Sequence, residues 1–238
     1  MDIQTWKKEV LEYNNSLNEE LKINSEAKEL YYGFDVIDGK LLEKAEVLFI
    51  GINPGKGSGE VHHTVVMEGE YPSYLEVFFD NYKEIYKRPY LLAEFAVNIF
   101  MDLGFSNDEI NTYFTEKCIK TNFYHIITNS QDDIETVLKA VGKEKEYNNK
   151  SCEFTEGLIK ATKPKLVIFE GKAAYNWFVE TCCEEYGTWD SQTNIAYYFV
   201  EDLNVHCIGF KRNGIGGIEA DVKDVIAIIQ SKSILKNN

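Results

Sequence analysis

The chain has 238 residues, 44% of them hydrophobic, which suits one large α/β core; two domains would each be small. A formal net charge of −14 excludes a broad phosphate-binding surface, since affinity for duplex DNA comes largely from Lys and Arg, so any nucleic-acid contact must be local. No run of about 18 apolar residues occurs, and Met1 to Lys8 is too polar for a signal peptide, so a cytoplasmic protein with no membrane partner is expected.

Residues 2–30 are polar and helix-prone, with Trp6, Val10, Leu11, Leu17, Leu21 and Ile23 as apolar positions, and predict one or two helices. Residues 1–44 are read as a helical extension packed on a single domain spanning 1–238. Val47 to Ile50 is an apolar run suited to a buried parallel strand, and it stops at Gly51. Lys56-Gly57-Ser58-Gly59 and the stretch carrying His62 and His63 then read as a loop. Tyr74–Tyr86 and Pro89–Leu103 read as helices, the second closing at Gly104. Cys118–Ile127 is a β-prone run interrupted at Asn122. Gln131–Asn149 predicts a helix followed by a loop, and Cys152–Thr162 a further helix. Lys165–Phe169 is another buried strand, after which Gly171 opens a helix to about Glu185. Ile195–Val200 and Val205–Phe210 form a pair of strands, and Glu219–Leu235 is the last amphipathic helix. Strands separated by helical segments predict a three-layer α/β/α sandwich around a central, mainly parallel sheet.

Several chemistries are excluded by spacing. Gly51 and Gly55 enclose three residues where a Walker loop needs four, and Gly55, Gly57 and Gly59 miss the dinucleotide-binding pattern. No nucleophile elbow G-x-S-x-G occurs. Of the four histidines only His62 and His63 are close in sequence, and the five cysteines (Cys118, Cys152, Cys182, Cys183, Cys207) lack C-x-x-C spacing. No metal site is expected, and the cysteines read as free, mostly buried thiols.

Three ordered segments remain, each following a predicted strand: Gly51-Ile52-Asn53-Pro54-Gly55, Thr121-Asn122-Phe123-Tyr124 and Lys211-Arg212-Asn213-Gly214. Asn53 places an uncharged amide on a tight turn, where it can accept, donate and orient a water, which suits a polar, neutral substrate. At these residues the chain resembles the uracil-DNA glycosylase superfamily, over about Val47 to Phe210. Gly51–Gly55 is similar to the first motif of its mismatch-specific thymine/uracil branch, and Lys163–Phe178 to its strand-Gly-helix segment.

The resemblance implies a uracil-DNA glycosylase-like fold that needs no cofactor. It also implies hydrolysis of the N-glycosidic bond of uracil or a related altered base in DNA, as in base-excision repair, after the nucleotide is flipped from the stack. Asn53 would position the attacking water. Asn122 would read the uracil edge, with Gly51, Ile52, Pro54 and Tyr71 or Tyr74 against the base. Lys56, Lys211, Arg212 and Asn213 would make the local nucleic-acid contacts, Lys211 and Arg212 also holding a phosphate or the leaving base. The chain departs from the family at the last motif, usually a His-Pro-Ser-type turn. No histidine stands at Lys211-Arg212-Asn213-Gly214, and His206 lies inside the preceding strand as a packed side chain. The five cysteines do not match the iron–sulfur branches, and no cluster is expected. The acidic balance and the altered turn keep an alternative open, a superfamily-fold protein that binds a base, a nucleotide or a protein partner without cleavage. An enzyme of free nucleosides or small nucleotides is a third reading.

Overall fold

A strand that is apolar on both faces needs a layer on each side, and the computed structural model of the chain supplies both. It describes residues 1–55, 63–78, 90–185, 187–213 and 217–235. Strand β1 (Gly33–Asp38) precedes β2 (Val47–Gly51), β3 (Val65–Glu68), β4 (Cys118–Asn122) and β5 (Ile126–Ile127). β6 (Leu166–Phe169), β7 (Trp189–Asp190), β8 (Ile195–Val200) and β9 (Val205–Phe210) follow. The nine strands join in one sheet in the order β3-β1-β4-β2-β6-β9-β8-β7, with β5 on β1. The central strands β4, β2, β6 and β9 run parallel, in registers that include Gly51↔Asn122, Phe49↔Ile168 and Phe169↔Gly209. Antiparallel pairs flank them on both sides.

Helices α1 (Ile3–Ile23), α2 (Leu91–Asp102), α3 (Asn107–Glu116), α4 (Gln131–Ala140), α5 (Glu144–Thr162), α6 (Lys172–Trp177) and α7 (Val222–Ser231) cover both faces. Leu48, Ile50, Ile119, Val167 and Phe169 point to the layer of α1, α4, α5 and α6. Val47, Phe49, Cys118, Leu166 and Ile168 point to that of α2, α3 and α7. The fold is a three-layer α/β/α sandwich. Each apolar side chain so buried contributes about 1.5–3 kcal/mol of transfer free energy, which is why alternate residues of one strand serve two cores. Asp2 starts α1 by accepting from the Gln4 and Thr5 amides at 3.0 and 2.9 Å. Trp6 then seats α1 on α5, its Nε1 donating to Phe154 O at 2.8 Å across Gly157, where a Cβ would stand 2.8 Å from the Trp6 ring.

Some expectations are corrected. Residues 33–38, read within the helical extension, form β1 inside the sheet. Ser73–Phe78 is a 3-10 segment, and the rest of the helix expected to Tyr86 lies outside the described residues. The segment read as a loop before Cys152 is the first half of α5, held by Lys143–Glu146 and Lys150–Glu153 ion pairs and by the buried Tyr147. The helix after Gly171 gives way at Phe178 to a π turn, Phe178–Cys182. Cys152 and Cys182 form a disulfide, so only Cys118, Cys183 and Cys207 are free; a long-range contact between α5 and the π turn leaves no mark in cysteine spacing. Among the described residues no helix is long and apolar enough to cross a membrane.

Candidate functional site

The parallel strands end together, and the ladder between β2 and β4 fixes what stands at their carboxyl edge. It continues past Gly51↔Asn122, the Phe123 amide donating to Gly51 O at 2.8 Å and the Tyr124 amide to Ile52 O at 2.9 Å. A Cβ at Gly51 would collide with Asn122 Oδ1 and come within 3.4 Å of Glu170 Oε2, so glycine is what lets these two side chains approach the strand. Asn53 donates through Nδ2 to Pro54 O at 3.2 Å and to Thr128 Oγ1 at 3.1 Å. The turn is thereby pinned to the bridge Gly55↔Thr128. Among the described residues its Oδ1 receives no hydrogen bond, which leaves an oriented acceptor.

These groups open into a cleft of about 430 Å³. Gly51, Ile52, Asn53, Pro54, Asn122 and Arg212 line it, so six of the residues singled out by sequence come together. Asn122 is 8% exposed, and its amide has no hydrogen-bond partner among the described residues.

Four charged residues that the sequence reading did not select share the cleft: Asp35, Asp38, Lys120 and Glu170. Lys120 Nζ stands 3.6 Å from Glu170 Oε2, 4.0 Å from Asp38 Oδ2 and 5.2 Å from the centre of the Tyr74 ring. Burial pushes the Glu170 carboxyl up to about 8, with Asp38 adding and Arg212 opposing. Burial and Asp38 raise Asp35 to about 6 against the pull of Lys120. Lys120 is lowered by burial and by Arg212, with Asp38 and Asp35 opposing. The cleft floor therefore carries a carboxyl whose ionised form burial disfavours, with Lys120 3.6 Å away, beside an amide with no hydrogen-bond partner among the described residues. The one signal in the sequence was a charge inside or directly after an apolar strand, at Lys120 and Glu170.

Other expected residues stand elsewhere. Lys211 turns away from the cleft, donating to Asn194 Oδ1 at 3.2 Å and lying 5.8 Å over the Trp189 ring. Asn213 closes a turn, its Oδ1 accepting from the Gly217 amide at 2.8 Å. Tyr71 is 43% exposed and outside the cleft lining, while Tyr74 is buried in the core against Phe49 and Phe114. His206 packs on β9 with Nδ1 2.8 Å from Tyr197 OH. Lys56, His62 and Gly214 lie outside the described residues. Arg212, exposed at the rim, donates from Nη1 to Glu170 O at 3.4 Å. Gly171, at φ 133°, leaves its missing Cβ position 3.6 Å from Arg212 Cδ. No family model and no curated protein matches the chain.

Such a cleft can hold a planar, uncharged heterocycle by its polar edge, keep a water on Asn53, and meet an anion at Arg212.

Proposed function

We propose that the protein hydrolyses the N-glycosidic bond of uracil or a related altered base in DNA. One observation carries this reading: the amides of Asn53 and Asn122, from segments far apart in the chain, open into the same cleft, one with a free acceptor and the other with no partner among the described residues. Cleaving the bond sends negative charge onto the base and positive charge onto the sugar. Asn122 holds the flipped base by its edge, and Asn53 Oδ1 holds the water that adds to the sugar once the bond has opened. Arg212 at the rim is the cation available to a backbone phosphate. Asn53 is uncharged, so it orients the water without taking its proton; bond breaking leads, and as the water's oxygen bonds to the sugar its proton passes to the departed base anion.

A second reading is favoured by the charges. Asp35, Asp38 and Glu170 stand in the cleft against Lys120 and Arg212, a lining that attracts a polyanion poorly and fits a small base or nucleoside.

Oligonucleotides carrying uracil, mispaired thymine or hypoxanthine, and free deoxyuridine, are incubated with the protein, and abasic sites are revealed by alkaline cleavage. Abasic sites at uracil, lost by about a hundredfold in Asn53→Ala with base binding kept, support the first reading. Cleavage of deoxyuridine alone supports the second. Absence of cleavage from every substrate refutes hydrolysis, and wild-type rates in Asn53→Ala move the water to another residue.

A further inference from the structure

The mechanism above leaves Lys120, a buried amine in the cleft lining, without a task. Lys120 stands in the middle of β4, a strand with neighbours on both edges. Its side chain is 13% exposed, whereas the lysines of the other described ion pairs are 29–75% exposed. Lys120 and Asn122 are two residues apart on one strand, so their side chains leave the same face of the sheet, and both line the cleft. Nζ is drawn to the carboxyl edge. It stands 3.6 Å from Glu170 Oε2, and that oxygen lies 3.4 Å from the Cβ position of Gly51, the partner of Asn122 in the ladder. Neither carboxyl grips the amine: the contacts with Glu170 at 3.6 Å and with Asp38 at 4.0 Å are both longer than a hydrogen bond. Asp38 is engaged instead by the Ser73 amide at 3.0 Å and by the Ser73 hydroxyl.

We propose that Lys120 is a nucleophile whose amine forms an imine with the ring-opened aldehyde of an abasic deoxyribose, and that the cleft cuts the DNA strand through that imine. The inference rests on the reading of the cleft as a site for altered bases in DNA, because hydrolysis there leaves that sugar in place.

A lysine serves as a nucleophile where burial disfavours its charge and a proton acceptor stands beside it. Burial lowers Lys120, with Asp38 and Asp35 opposing and Arg212 adding, and the same burial raises Glu170. The site therefore favours amine beside carboxyl over ammonium beside carboxylate. The amine nitrogen bonds to C1 of the aldehyde, and the carbonyl oxygen takes the proton of Glu170. That oxygen leaves as water with a second proton, from the nitrogen, and an iminium remains beside the Glu170 carboxylate. The carboxylate takes a proton from C2, whose bonding electrons form an enamine. Their return expels the phosphate on C3, which leaves with the electron pair of the broken C–O bond, and a double bond joins C2 to C3. Water adds to the conjugated imine and frees Lys120. One water is released and one consumed over the cycle, and no oxidant or reductant is needed.

The test supplies an oligonucleotide that already carries an abasic site, together with sodium borohydride, which reduces an imine to a stable secondary amine. Gel mobility measures the adduct and peptide mass mapping locates it. The adduct should map to Lys120 and fall by about a hundredfold in Lys120→Arg, which keeps a cation against Asp38 and Glu170. Without borohydride and without alkali, the same oligonucleotide should be cut into one fragment ending in an unsaturated aldehyde and one beginning with a phosphate. Absence of an adduct from the wild-type protein, or an adduct on the Met1 amine or another lysine, would overturn the proposal without reliance on a variant. Trapping of Lys120→Arg at the wild-type yield would overturn it as well. An adduct at Lys120 with an uncut strand overturns the scission and supports the imine. Because the abasic site is supplied, the two readings fail separately. An adduct at Lys120 with no uracil released from uracil-containing DNA refutes hydrolysis and supports the imine, whereas uracil release with no adduct supports hydrolysis and refutes the imine.

Discussion

Between α1 and the strands it covers, Asn14, Asn18, Tyr31, His125 and Tyr147 are buried and hydrogen-bonded among themselves, whereas in the cleft the Asn122 side chain makes no hydrogen bond among the described residues and Glu170 meets Lys120 only at 3.6 Å. In the first cluster Asn14 Nδ2 meets His125 Nδ1 at 3.2 Å, the His125 amide donates to Tyr147 OH at 3.1 Å, and Tyr31 OH donates to Asn18 Oδ1. Burial lowers His125 to about 3, so it stays neutral. Asn14 Oδ1 is the cluster's one fully buried side-chain atom without a hydrogen-bond partner among the described residues. Polar groups that satisfy each other act as cement, while those left unsatisfied at a strand edge wait for a ligand.

The sharpest way to break this contrast is His125→Ala. It leaves a cavity and strands Asn14, and should cost about 2–4 kcal/mol in a denaturant melt while leaving uracil affinity unchanged. A loss of affinity without loss of stability would erase the distinction between the two clusters.

The pH dependence of stability should separate them next. Glu170 holds its proton in the folded state up to about 8, against an ordinary 4.5 in the unfolded chain. The folded state is thus the one that binds the proton between those values, and its stability falls as pH rises through that window, by at most about 1.4 kcal/mol per unit. His125 works the other way. The unfolded chain takes up a proton below 6.5 that the folded state refuses until about 3, so stability falls as pH drops through that range. Thermal melts across pH should show both limbs, and Glu170→Gln should remove only the upper one.

The smallest effect concerns the turn after β9. Arg212→Ala should weaken uracil-oligonucleotide affinity by about fivefold and reduce the salt slope by about one, because Arg212 lines the cleft. Lys211→Ala, whose ammonium faces Asn194 and Trp189, should change neither. Equal losses in the two variants would bring Lys211 back to the site.

The central sheet was legible in the sequence because β2 and β6 are apolar on both faces and stop at glycine or at a charge. Gly51, Asn53, Asn122 and Arg212 were legible because each stands at or just after the end of a β-prone run. β1 was not, since Asp35 and Asp38 interrupt its apolar pattern, and those are the residues it delivers to the cleft. α3 was missed although Ser106 and Glu109 form a capping box, because its body is polar and buries only Ile110 and Phe114. Lys120 and Glu170 look solvent-facing in one dimension. Their burial is a property of the assembled sheet, in which β1 pairs with β4 at Asp38↔Lys120 and Glu170 follows the central strand β6.

The seat of β2 also has a consequence for how the chain is made. β2 takes β4 on one edge and β6 on the other, both from far downstream. During synthesis Val47 to Ile50 emerge long before Phe169, so an apolar strand must wait with an open edge. A nascent chain released between β4 and β6 should therefore aggregate or recruit a chaperone, and one released after β9 should not.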